Sequence, residues 1–207
     1  YTLLQVLISD IMVRISCNVE LVRVECCDGL SSLAVRQIDM PKVCGTEVAS
    51  ETRVQNMWDH AISEFNLTQD KDGRWTSRPP GLLKHVRLQD GSLQHSSWMR
   101  IKDALSCQLS TDKVSVVDFG SEGGYCMAQF AMHPHVEDVT GKEIQYPWVV
   151  YSSWILYSIH MQSKTHNSYF ANITLLCGNF VDALDEIWTT KIRSANIIHM
   201  DNVNWCK

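Results

Sequence analysis

The sequence predicts an α/β fold with a parallel sheet in its C-terminal half, preceded by a less regular N-terminal region. Three observations carry this reading. An apolar run, Val114, Val116 and Val117, ends at Asp118 and enters a glycine-rich turn, Gly120-Ser121-Glu122-Gly123-Gly124. A stretch with helical potential follows, with Met127, Ala128, Phe130 and Ala131, and then a second β-rich run from Val136 to Thr140. That run stops at Gly141, with an acid, Glu143, just beyond it. Strand, glycine turn, helix, strand and acid, in that order, make the first half of a doubly wound nucleotide-type fold.

The other elements follow from periodicity and punctuation. Val19, Leu21, Val22 and Val24, separated by Glu20 and Arg23, suggest strand pairing. Residues 30–50 carry Pro41 and Gly45 and read as loop with short elements. From Asn56 to Phe65, the residues Met57, Trp58, Ala61, Ile62 and Phe65 recur at helical spacing, as in a core-facing helix. Thr68 to Gly81 is a long polar loop. Ser96 or Ser97 caps a helix from Trp98 to about Cys107, with Trp98, Ile101 and Leu105 inward. Pro147 suits a helix first turn, and the wide apolar stripe from Trp148 to Gln162 predicts burial against the sheet. Asn172 to Cys177 reads as a third strand ending at Gly178, and Ala195 to Met200 as a fourth. A short helix, Val181 to Thr190, lies between them. Its acids Asp182, Asp185 and Glu186 read as a solvated face well placed for the helix dipole.

The turn and the acid imply a chemistry. Glycines let a backbone approach a ligand that a Cβ would block, and the following helix start offers free N–H groups. An acid at the end of the second strand, about 20 residues on, accepts hydrogen bonds from two ribose hydroxyls, and Glu143 stands at that place. The implied ligand is an adenosine-type cofactor; the plainer alternative is a buried turn of an ordinary α/β domain. A nicotinamide fingerprint is not met, because Glu122 and Tyr125 occupy two of its three glycine positions.

The D-x-G-S-x-x-G form, Asp118 to Gly124, looks more like the first motif of S-adenosylmethionine-dependent methyltransferases. V-V-D-F-G-S-E-G-G, then G-K-E, then G-N-F at 178–180, then A-N-I-I-H-M-D-N at 195–202 resembles the disruptor-of-telomeric-silencing family of histone lysine methyltransferases. The resemblance runs from near Gly91 to the C-terminus. It implies a Rossmann-like methyltransferase domain over residues 91–207 and an N-terminal region, residues 1–90, of open fold. Carried over by position, it places Asp118, Gly120, Ser121 and Gly124 at the cofactor turn and Glu143 at the ribose. It also places Asn179 and Phe180 beside the adenine, and Asn202 at the methyl-transfer end. It implies S-adenosylmethionine as cofactor, a protein lysine of a core histone or nucleosome as substrate, and a nuclear location. The departures are specific. Glu122 stands where the family has Gly, Asn179 where it has Asp, Asp201 where it has Asn and Val203 where it has Phe. Leu93 to Ser97 keeps only the serines of the loop that closes over the cofactor. The chain also ends seven residues after Met200, where such a domain carries three further strands, so that either the sheet is shortened or the first 110 residues compensate. A non-catalytic cofactor-binding or interaction module, and a methyltransferase for a small molecule, therefore stay open beside the histone reading.

Composition bounds these readings. The chain has 207 residues, 45% of them hydrophobic, enough for a core. A net charge of −5 offers no overall attraction to nucleic acid. The loose basic cluster Arg74, Arg78, Lys84 and Arg87 reads as a solvated loop. Eight irregularly spaced cysteines without C-x-x-C read as reduced thiols, and His133 and His135 lack a metal-site pattern. No run of about 20 apolar residues predicts a membrane span, and Tyr1 to Ile8, lacking a basic leader, makes a poor signal peptide.

Overall fold

The computed structural model describes residues 18–25, 31–69, 75–77, 113–179, 181 and 185–200. In chain order the elements are β1 (Asn18–Glu25), β2 (Ser31–Met40), β3 (Val43–Cys44), α1 (Glu51–Ser63), β4 (Val114–Phe119) and α2 (Tyr125–Ala131). They continue with β5 (Val136–Glu143), α3 (Tyr146–Thr165), β6 (Tyr169–Phe170), β7 (Asn172–Cys177), α4 (Glu186–Ser194) and β8 (Ile197–Met200). The fold is α/β. One six-stranded sheet has the order β1-β2-β7-β5-β4-β8, and β3 pairs with β6 in a small second sheet.

Four neighbouring strands, β7, β5, β4 and β8, are parallel, while β2 joins β7 antiparallel and β1 joins β2 antiparallel. The expected β4–α2–β5 unit forms, and β5 runs on past Thr140 to Glu143. From β4 the chain steps outward to β5 and β7, then returns across β4 to β8. Parallel crossovers are right-handed, so a connection that reverses direction must pass over the other face. The packing agrees: α2 and α3 cover one face of the sheet, with α1 packed on α3 in the same large core, whereas Trp188 of α4 packs on Val117 and Leu176 of the opposite face. The reversal at β4 creates a crevice at the carboxyl ends of β4 and β8.

Local sequence explains the helices. Ser50 caps α1 by accepting from the Arg53 N–H at 3.3 Å, and Met57, Trp58, Ala61 and Ile62 turn inward. Pro147 lies in the first turn of α3, which is buried on several sides because the sheet and α1 both pack on it.

Three expectations need correction. Residues 31–40, read as part of a loop with short elements, form β2, a ten-residue strand inside the sheet; Pro41 follows its last residue, and Gly45 follows the short strand β3. The helix expected over Val181 to Thr190 spans Glu186–Ser194, because Asp185 caps it by accepting from the Trp188 N–H at 3.1 Å. Asp185 is therefore not part of a solvated face: its carboxylate ion-pairs with the buried Lys142. The helix over Trp98 to Cys107, the basic cluster Arg74, Arg78, Lys84 and Arg87, and Asp182 lie outside the described residues.

Candidate functional site

The site is built where β4 and β5 end side by side. Asp118 pairs with Gly141, and Phe119 with Lys142, in parallel register. Gly141 permits this closeness to the turn: a Cβ there would lie 2.3 Å from the Met127 sulfur and 2.9 Å from Ser121 Cβ. The turn is anchored to β5 by its amides, Gly120 N–H donating to the Lys142 carbonyl at 2.9 Å and Ser121 N–H at 3.4 Å. Gly120 and Gly124 take φ of 74° and 84°, a left-handed backbone suited to glycine.

Glu122 also has positive φ, 41°, where a side chain strains the backbone. Both of its peptide groups are held. Its N–H donates to Glu143 Oε2 at 3.0 Å, and its carbonyl lies within reach of the Ser152 hydroxyl of α3. That hydroxyl has a single proton, which it gives either to this carbonyl or to the Trp148 carbonyl at 2.6 Å.

Glu143 is 2% exposed and accepts a second backbone bond at Oε1, from the Gln145 N–H at 2.7 Å. Burial pushes its carboxyl above the usual carboxylate range; the Gln145 and Glu122 N–H groups oppose that, and the nearby Asp118 charge adds to it. Asp118, also buried, meets His199 of β8 at 2.7 Å, Oδ1 to Nδ1, on the strand beyond the reversal. Ser121 Oγ is buried with no hydrogen-bond partner among the described residues, an orphaned polar atom inside the turn.

The structure thus brings together Asp118, Gly120, Ser121, Gly124 and Glu143. Asn179 follows β7, and its Oδ1 accepts from the Val181 N–H at 3.1 Å, closing a local exposed turn. Phe180 and Asn202, assigned to the adenine and to the methyl-transfer end, lie outside the described residues. Sequence reasoning missed four contributors. Ser152 was hidden in an apolar helix stripe. His199 sits in a strand whose register partner was unknown. Trp75, from a stretch read as polar loop, packs over the turn, so that a Cβ on Gly123 would lie 2.5 Å from its ring. Lys142 was seen only as the middle of G-K-E. Trp75 is one of a group of rings, 6.0 Å from Trp58 and 5.1 Å from Trp148, and Tyr125 stands 4.7 Å from Trp58. Trp58, at a core-spaced position of α1, was the available signal for that group.

Fold and site together define an open-sheet α/β protein with an acid-flanked glycine turn at the sheet's reversal. Set against protein-family models and curated protein sequences, the chain matches none of them. Among the described residues no helix is long and apolar enough to cross a membrane.

Proposed function

We propose that this chain binds S-adenosylmethionine and transfers its methyl group to a protein lysine, with a core histone in the nucleus as the substrate class the resemblance implies. The observation that supports this most is the juxtaposition of the glycine turn with Glu143, joined at 3.0 Å at the carboxyl ends of two adjacent parallel strands. The residues present suit such a cofactor. Glu143 keeps lone pairs beyond those that its two backbone donors use, and Ser121 Oγ offers an uncommitted buried hydroxyl.

Glu143 would hold the ribose hydroxyls, and the Ser121 hydroxyl, set within the Gly120 to Gly124 turn, would hold the amino-acid end. When bound, the cofactor supplies an electrophilic methyl on a sulfonium. That methyl would be available to an unprotonated lysine amine held in line with it. The protein's share is alignment and exclusion of water rather than acid–base chemistry, and Trp75 and its neighbouring rings suit that exclusion. Asn202 is the residue the resemblance puts nearest the methyl group.

A second reading, an adenosine-binding module without catalysis, draws on Glu122: its side chain and strained φ stand where the family turn has glycine. Calorimetric titration with S-adenosylmethionine tests the shared part. The wild type is expected to bind, and Glu143→Gln to bind about 30- to 100-fold more weakly, through loss of roughly 2–3 kcal/mol of charge-assisted hydrogen bonding. Equal affinities would remove Glu143 from the site. Labelled methyl transfer to purified histones then separates catalysis from binding alone.

A further inference from the structure

We infer that Lys142 is a positioning residue that sets the adenosine side of this site, an inference that rests on the cofactor reading above. Alternation along β5 points Lys142 away from Glu143, onto the face that α4 covers. There its side chain is 1% exposed, ion-paired with Asp185 and 5.5 Å over the Trp188 ring. Asp185 divides its two oxygens: Oδ2 takes the lysine, and Oδ1 caps α4 at the Trp188 N–H, 3.1 Å away. The Lys142 stem lies against the end of β7, where a Cβ on Gly178 would be 3.3 Å from Lys142 Cε.

The backbone of the same residue does a second job. The Lys142 carbonyl accepts from Gly120 and Ser121 of the turn, and the next carbonyl, of Glu143, accepts from Gly178 at 2.9 Å. Lys142 therefore joins the glycine turn, the end of β7 and the start of α4 at one point. A buried ion pair adds little net stability over an apolar pair of similar size, yet it fixes direction. Here the direction fixed is that of α4 and of the end of β7 at Gly178, on the side where the resemblance puts the adenine.

The test compares wild type with Lys142→Met/Asp185→Asn, which removes both charges and keeps an oxygen to cap α4. Each is titrated with S-adenosylmethionine and with 5′-methylthioadenosine, which lacks the amino-acid end. The expected result is about tenfold weaker binding of both ligands by the same factor, with the thermal midpoint within a few degrees of wild type. A purely structural role would move the midpoint and leave affinity alone. If wild type binds and the variant binds equally well, or loses only S-adenosylmethionine, the inference is overturned and the cofactor reading stands. If wild type binds neither ligand, both fall. Should the double variant not fold, Lys142→Arg, which keeps the paired charge but changes its geometry, carries the same comparison, with a smaller loss expected for both ligands and unchanged affinity counting against the inference.

Discussion

Glu122 concentrates what is unusual about the site in one residue. A left-handed backbone costs an ordinary residue about 1–2 kcal/mol, and here Glu143 and Ser152 hold that conformation from either side. Glu122→Gly is expected to raise the urea midpoint by an amount worth about 1 kcal/mol at unchanged slope, and to bind S-adenosylmethionine more tightly. An unchanged or lower midpoint would mean that the conformation is not strained; weaker binding would make Glu122 a cofactor ligand. The glycine-to-glutamate departure was legible in the sequence. The sign of φ was not, because it depends on Ser152, thirty residues further along the chain and on another element.

Among the elements, α3 carries a buried titratable group of its own. His160 is 1% exposed, with Nε2 2.9 Å from the Pro41 carbonyl after β2, and Nδ1 without a partner among the described residues. Burial, helped by the Lys164 charge and opposed by the Pro41 hydrogen bond, lowers its pKa to about 4. The unfolded chain, with an ordinary histidine, takes up the proton first. Stability is therefore present above about pH 6.5 and lost as pH falls towards 4, by on the order of 3 kcal/mol. Glu143 runs the other way: its raised carboxyl contributes stability that is present below the ordinary carboxylate value and lost as pH rises through its folded value. His160→Gln, which keeps a donor for Pro41, is expected to lose less stability than wild type between pH 6.5 and 4.5, read from urea midpoints. Parallel losses in the two proteins would show that His160 does not carry this dependence. The start of α4 illustrates why element ends were less legible than element types. Hydrophobic and acidic spacing placed a helix after β7, but its first residue was set by Asp185, whose role depends on a lysine forty-three positions earlier.

On the scale of the whole molecule, residues 18–63 contribute two strands of the main sheet, the short strand β3 and one helix of the large core. Ile38 of β2 pairs with Leu175 of β7 and is fully buried in the core cluster to which α1, α2 and α3 also contribute. Ile38→Ala is expected to cost about 2–5 kcal/mol. It should lower one shared transition seen by both tryptophan fluorescence and far-UV circular dichroism. Two separated transitions in the variant would show that the hairpin and the parallel strands unfold independently.

The C-terminal strands, α3 and the pairing of a glycine turn with an acid were determined by local sequence, because apolar periodicity and glycine act over a few residues. The membership of β2 was not, since a strand with an unremarkable pattern is recognised only by the neighbour it pairs with. The same holds for the site. Asp118, Gly120 and Glu143 were visible as a motif, but which groups they meet was decided by packing. His199 reaches Asp118 across a strand register, Ser152 reaches Glu122 from a helix, and Lys142 reaches Asp185 through the sheet's far face. Those contacts join positions thirty to eighty-one residues apart. They become possible because β7, β5, β4 and β8 are parallel neighbours, so that their carboxyl ends lie along one edge of the sheet.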